Sequence, residues 1–584
     1  MIKVIYTLIC LFFAVNIHAQ ISGTVTDAQG EPLIGAVVMV KGTTIGTVTQ
    51  GDGTYTIEAT QGTLVFSYTG YDAVEIPIGD NFTIDAVLEV SNISLNDVVV
   101  IGYGTQRKAD VTTAVVTVGE ETIKNRPMVS AAEALQGTAA GVQVVQPSGK
   151  PGGDIAVRVR GSTSVLAGNE PLYVVDGVPT TDIRGLNPTD IESMTVLKDA
   201  SSAAIYGARA ANGVVIITTK RGVSGKTTIA FNAYYGVSDI RKTIETLTTK
   251  QYRDLMNQIA PGAMDPSETG YTDWQEETFG TGTVQSYQLA FQGGTEVTRY
   301  LISANYLSQI GIAEPARFDR YSLRLNLDNQ ATKWLTIGVN MNLLRSSTKD
   351  TPDNASSGRG GVIMSALNTP PFLSIYKDDG SGQYDPNPFQ PSWENPIAYM
   401  FGAEQEATDT RLFGNVTLEA TLFEGFSLKT NFGADINSHQ WDYYLDPFKT
   451  TYGRNNNGIG QADKSNSNIL LWENTANYDK DFDDHHMSFL IGSSIQKSKW
   501  SDSYLYGTDY PDDINVQTLN AANVITGSTD VQEWALASFF GRYMYNYKSK
   551  YLLTATLRRD GSSKLADPWG TMPSVSLGWR ISAE

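Results

Sequence analysis

From about residue 223 onward, hydrophobic and polar positions alternate with a period of two. Tyr321, Leu323, Leu325 and Leu327 fall on one face of an extended run, and Ser322, Arg324, Asn326 and Asp328 on the other. After the polar residues 329–333, Leu335, Ile337, Val339, Met341 and Leu343 line one side, with Thr336, Asn340 and Asn342 opposite. The pattern recurs over 412–422, 426–434, 537–547 and 551–557. Successive side chains of a strand point to opposite faces, so each run predicts a strand between two environments. Runs of ~9–11 residues separated by polar turns and longer loops predict an outer-membrane barrel. Tyr300, Tyr306, Trp334, Phe539, Tyr543 to Tyr547 and Trp579 gather near segment ends, where amphipathic rings suit a membrane interface. A soluble β-sandwich also alternates, so the upstream segments decide between the two.

Residues 20–94 read as short β-runs, such as Ile21 to Thr26 and Thr54 to Ile57, punctuated by turn residues at 27–30 and at Asp52-Gly53. Turn signals every 8–12 residues predict a small β-sandwich. Residues 95–104 differ: four consecutive β-branched residues, Val98, Val99, Val100 and Ile101, end at Gly102-Tyr103-Gly104. Alone, this is a further strand or a linker; it is also suited to joining the sheet edge of a partner. Residues 105–222 are mixed α/β. They hold a short helical stretch at 131–141 ending at Gly, alternating strands at 155–160 and 171–179, and a helix start capped by Asn187.

Composition narrows the function. The formal net charge of −19 argues against a general nucleic-acid binder, which needs a basic surface for phosphate. Past the N-terminus no run of ~18 apolar residues occurs, which excludes a polytopic helical membrane protein. Lys3, the apolar run 4–15 and Ala19 before Gln20 have the layout of an export signal over residues 1–19. The single cysteine, Cys10, lies inside it, so disulfide scaffolds and cysteine-ligated clusters fall away. Of the histidines beyond residue 19, His485 and His486 follow Asp483 and Asp484, a grouping better read as a solvated hairpin turn than a metal site. Gly222 to Thr227 imitates the end of a phosphate-binding loop without its first glycine or following helix. Neither His-Glu-x-x-His nor Gly-x-Ser-x-Gly occurs, so no catalytic residue, metal ligand or cofactor site is assigned. Arg158 and Arg160, on an alternating strand, are expected to pair with acids of the barrel wall.

Three ordered blocks then carry a family resemblance: Val175-Asp176-Gly177-Val178-Pro179, the run from Leu197 through Lys198, Asp199 and Ala200 to Tyr206-Gly207, and Ala210-Ala211-Asn212-Gly213 through Lys220. They resemble the plug of a SusC/RagA-type TonB-dependent outer-membrane transporter. Residues 20–94, through Gly23 to Asp27 and Gly51 to Tyr55, resemble a carboxypeptidase-regulatory-like domain. The resemblance implies a mainly β chain: an amino-terminal β-sandwich (20–94), a TonB box (95–104), an internal α/β plug (105–222) and a partial transmembrane antiparallel β-barrel (223–584). In the box, Asp97, Val98, Val99, Val100, Ile101, Gly102, Tyr103 and Gly104 would bind TonB. In the plug, Asp176, Gly177, Lys198, Asp199, Tyr206, Gly207, Asn212 and Gly213 are the motif residues, with Asp176 and Asp199 expected to make turn and helix-end hydrogen bonds.

The implied function is energised import across the outer membrane, without catalysis. Partners would be TonB with its inner-membrane energising proteins, outer-membrane lipid and a SusD-like surface lipoprotein. The substrate would be an oligosaccharide or a peptide, met by loops such as 377–400. A secreted β-rich adhesin or scaffold is the alternative. At roughly 25 residues per strand and connection, residues 223–584 supply about fourteen strands, fewer than the 22 of large plugged transporters, so a barrel fragment is expected.

Overall fold

The computed structural model describes residues 20–581, apart from 29, 44, 60, 69–70, 72, 80–81, 89–97, 125, 166–167, 263, 353–360, 388–393 and 513–514. The export signal expected at 1–19 and Asp97 therefore lie outside the described residues, as does part of the loop 377–400. By contacts the chain divides into two units: residues up to 99 with 107–109, and residues 100–106 with 110 onward.

The first unit packs a three-stranded sheet (Thr54–Glu58, Gln20–Asp27, Ala86–Leu88) and a four-stranded sheet (Gly46–Val48, Val37–Val40, Thr63–Ser67, Val74–Pro77) around one core. The alternation of Ile21, Val25, Val38, Tyr55, Ile57, Leu64 and Phe66 supplies that core. Tyr55 meets Phe66 edge-on at 5.5 Å and donates its hydroxyl to the Ile84 carbonyl at 2.7 Å, which satisfies the one polar atom of a buried ring.

The second unit holds a mixed five-stranded sheet in the order Val115–Gly119, Ile191–Leu197, Val214–Thr219, Leu172–Val175, Val178–Thr180. Only the Leu172–Val175 and Val214–Thr219 pairing is parallel. The helix expected over 131–141 is a short 3-10 turn, Ala131–Leu135, fixed by a capping box between Ser130 and Glu133. Asn187 caps a second such turn, Pro188–Asp190.

Downstream, twelve antiparallel strands run in sequence order from Gly225–Ser238 to Trp569–Trp579. Among the described residues there are twelve rather than about fourteen because the strands are long: Ile459–Phe482, His485–Thr508 and Val524–Tyr547 have 24 residues each. In the last of these, residues 524–533 are exposed throughout and show no alternation of burial, so the sequence pattern covers only the rest of that strand.

In this sheet the usual relation of polarity and burial is inverted. Tyr321 and Leu323 are 56% and 44% exposed, whereas Arg320, Arg324 and Asn326 are 1–3% exposed. Apolar side chains face outward and polar ones face the mixed sheet, as a lipid-facing wall around a polar plug requires. Short turns at 295–297, 424–425 and 483–484 mark one end, while the connections 239–281 and 350–402 mark the other. The latter two carry four short helices that share a core built on Trp274, Val362 and Ile397. The first and last strands of the sheet pair on one side only among the described residues.

Candidate functional site

The hairpin Leu172–Val175 to Val178–Thr180 closes through Asp176-Gly177, with φ of 48° and 89°. Both central residues of a two-residue type I′ turn need positive φ, which the Asp-Gly pair tolerates. The turn aims Asp176 sideways. One carboxylate oxygen accepts the Thr219 amide at 3.1 Å, and the other accepts the Thr219 hydroxyl at 2.6 Å and the Arg324 guanidinium at 2.8 Å. The Arg324 and Asp176 side chains are 4% and 5% exposed. Asp176 sits in the expected turn, but its carboxylate bonds Thr219 at the end of a neighbouring strand and, in an ion pair that its own motif did not announce, the wall residue Arg324.

Arg324 is one of five inward arginines that reach the plug or the segment just before it. Arg320 donates to the Arg184 carbonyl at 2.7 Å. Arg411 clamps Asp435 with two bonds of 2.6 Å and reaches the Thr180 hydroxyl and Asp182 carbonyl at 2.8 and 3.0 Å. Arg542 donates to the carbonyls of Ile101 and Tyr103 at 2.8 and 3.1 Å. Arg558, fully buried, bonds the Ile205 carbonyl at 2.5 Å, Asp560 at 2.7 Å and Ser538 at 2.8 Å. A planar guanidinium with five donors can satisfy plug carbonyls and a wall carboxylate together, which suits arginine to this seam. Of these, Arg324, Arg542 and Arg558 lie in alternating runs legible in sequence.

The segment ahead of the plug, residues 98–104, bends against the same seam. It is extended over Val98–Val100, but from Ile101 the chain reverses: the Ile101 amide donates to the Gly104 carbonyl at 3.0 Å, with Gly102 at φ 66°. A methyl group on Gly102 would sit 2.9 Å from Ile205. Tyr103 stacks on Phe540 at 4.6 Å and Tyr206 at 5.7 Å, and donates its hydroxyl to Glu473 at 2.7 Å. Burial, reinforced by the Glu473 charge, pushes the Tyr103 phenol well above its ordinary pKa, so it stays a donor. Beside it lies a cavity of about 410 Å³ lined by Tyr103, Asp176, Tyr206, Glu419, Lys429 and Glu473 among others.

The other motif residues hold the plug together. Gly207, at φ 73° and ψ −158°, leaves room where a Cβ would strike the Asp560 carboxylate. Gly213, at φ 89°, packs under Val159. Asn212 bridges the carbonyls of Gly168 and Glu170 at 2.9 and 3.2 Å. Lys198 donates to the Ala140 carbonyl at 2.5 Å. Asp199 makes no side-chain cap bond to its helix; it accepts the Ala114 amide at 2.7 Å and pairs with Arg160 at 2.5 Å. Arg160 therefore pairs within the plug and not with a wall acid, because its φ of 59° turns it off the strand; Arg158 is exposed. His486 pairs with Asp481 at 2.7 Å, and His485 bonds Tyr545 and stacks on Phe482. Among the described residues no group of three or more His, Cys, Asp or Glu is placed to hold a metal.

Comparison with known proteins adds to this geometry. Residues 107–214 match the TonB-dependent receptor plug domain, and residues 21–100 match the CarboxypepD_reg-like domain. TonB-dependent receptor P3 of Formosa agariphila is 35% identical over 100% of this chain and 59% of its own length. TonB-dependent receptor SusC of Bacteroides thetaiotaomicron is 31% identical over 100% of this chain and 61% of its own. Among solved structures, the RagAB peptide importer in its open-open state aligns with a TM-score of 0.72 at 27% identity, over 82% of this chain and 58% of that one. The chain thus spans about three fifths of the length of these relatives.

Proposed function

We propose that this chain, which belongs to the SusC/RagA-type TonB-dependent transporters, is part of an outer-membrane importer that takes up a large nutrient at the expense of inner-membrane energy. The observation that carries the reading is the arginine seam: plug motif residues and the segment before them bond to the polar face of a sheet whose other face is apolar. TonB would add its strand to residues 97–104 and pull, breaking the few bonds at Tyr103 before those at Asp176. The domain limits are 20–94, 95–104, 105–222 and 223–584, and residues 1–19 would direct export. A SusD-like lipoprotein would cap the long-loop end. The likeness to SusC favours an oligosaccharide as substrate; the likeness to a peptide importer favours a peptide as the second reading. A secreted adhesin is disfavoured, since it would expose Tyr321, Leu323, Leu343 and Leu577 to water. In the full-length protein, Val99→Pro removes a ladder donor from the coupling strand. Energised uptake should fall to background with surface binding retained; undiminished uptake would overturn the assignment.

A further inference from the structure

On the outward face of the twelve-stranded sheet, well away from the plug seam, Tyr287, Tyr306 and Tyr321 stand opposite one another on three neighbouring strands. Their rings stack with centroids 6.5 and 4.9 Å apart. One step toward the short-turn end, the same rung reads Leu289, Ala304, Leu323. The small Ala304 between two leucines leaves a groove of about 630 Å³ beneath the tyrosine ladder. Its remaining wall includes Phe231, Leu343 and, at the upper end, Arg345.

Arg345 is the unusual member. It lies directly across from Tyr321 in the strand register, is exposed, and makes no hydrogen bond or ion pair among the described residues. The outward charges above it are matched: Arg317 pairs with Asp319 at 2.6 Å, Asp319 also accepts the Tyr306 hydroxyl at 2.8 Å, and Lys349 pairs with Glu406 at 2.6 Å. Long connections mark this end of the sheet, and in outer-membrane barrels they face the outside. An unmatched cation at the level of an aromatic girdle, over an apolar groove, is complementary to an acyl chain carrying an anionic headgroup.

We propose that this groove is a binding site for a phosphate-bearing lipid of the outer leaflet. One acyl chain lies over Ala304, and the headgroup phosphate bonds the Arg345 guanidinium. The site rests on the reading of the sheet as membrane-spanning, but is independent of substrate and of energy coupling.

The test uses the full-length protein reconstituted in nanodiscs of phosphatidylcholine containing a minor fraction of phosphatidylglycerol, with annular lipid counted by native mass spectrometry. The wild type should retain phosphatidylglycerol in preference to phosphatidylcholine. Arg345→Gln should weaken that preference about fivefold, the worth of one cation at a charged membrane surface. Ala304→Leu, which fills the groove and keeps the charge, should release the same lipid. Arg559→Gln, on a distant strand, should change nothing. Inorganic phosphate should not compete. Equal loss in Arg345→Gln and Arg559→Gln, or retention in Ala304→Leu, would overturn the site while leaving the membrane reading intact. Failure of the wild type to enter bilayers would overturn the membrane reading itself.

Discussion

Asp176→Asn is the sharpest probe of the plug seam, because it changes charge and little else. Asparagine accepts the φ of 48° that the turn demands, and its amide oxygen can keep the 3.1 Å bond from the Thr219 amide. The lost element is the carboxylate facing Arg324 across 2.8 Å, in a pair with side chains 4% and 5% exposed. Removing one partner of a buried pair strands the other charge, at a cost of about 3–5 kcal/mol. The remaining Thr219 contacts place this case near the lower end, about 3 kcal/mol. The readout is hydrogen exchange of the strand Val214–Thr219 in the full-length protein. In the regime where exchange reports opening free energy, that loss speeds exchange roughly a hundredfold. Burial makes the change insensitive to salt. The double variant with Arg324→Met should be much less than additive, since neither charge is then stranded. Less than a threefold change, or simple additivity, would refute the ion pair as an anchor.

Further outcomes follow from single contacts. Tyr103→Phe removes the bond to Glu473 and leaves a buried acceptor, so residues 100–106 should exchange roughly tenfold faster, a loss of about 1.5 kcal/mol. Gly207→Ala should destabilise the plug by more than about 2 kcal/mol, from positive φ and collision with Asp560, measured as a lowered melting point of the detergent-solubilised protein. Asp182 is half-buried, which raises its pKa, but the Arg184 hydrogen bond and charge, with the Arg411 charge, outweigh burial and hold the carboxyl below its usual value. It therefore contributes stability above about pH 4 that is lost as pH falls through the depressed value, and Asp182→Asn should flatten that acid limb of a melting-point profile. Tyr55→Phe should cost the first unit about 1 kcal/mol, read as earlier loss of its own exchange protection.

Much of the fold is legible because lipid imposes a strict period. Tyr321 to Leu327 and Tyr551 to Leu557 alternate since one face meets hydrocarbon and the other a polar plug. Strand number was less legible: Val524 to Glu533 are exposed throughout, and nothing in that stretch forces alternation. The Asp-Gly turn at 176–177 was readable from local backbone chemistry. Its ion pair with Arg324, 148 residues away, was not. Arg411 and Arg542 look like ordinary polar positions of a strand, and only the fold reveals that one faces a plug carbonyl and the other a carbonyl of the segment before the plug. Asp199 misled for a related reason. It precedes a helical turn as a cap residue should, yet Arg160 and the Ala114 amide draw its carboxylate away.

Residues 20–584 contain no cysteine, so a cysteine pair introduced there can test whether the plug must leave the wall. The hydroxyls of Thr112 and Ser576 are 2.7 Å apart, joining the start of the plug to the last strand of the sheet, and sulfurs in their place are within reach of a disulfide. Uptake is measured in whole cells expressing the full-length protein with Thr112→Cys and Ser576→Cys, before and after reduction. Plug displacement predicts that oxidation abolishes energised uptake, that a reductant restores it, and that either single variant transports normally. Full uptake with the disulfide quantitatively formed would contradict it.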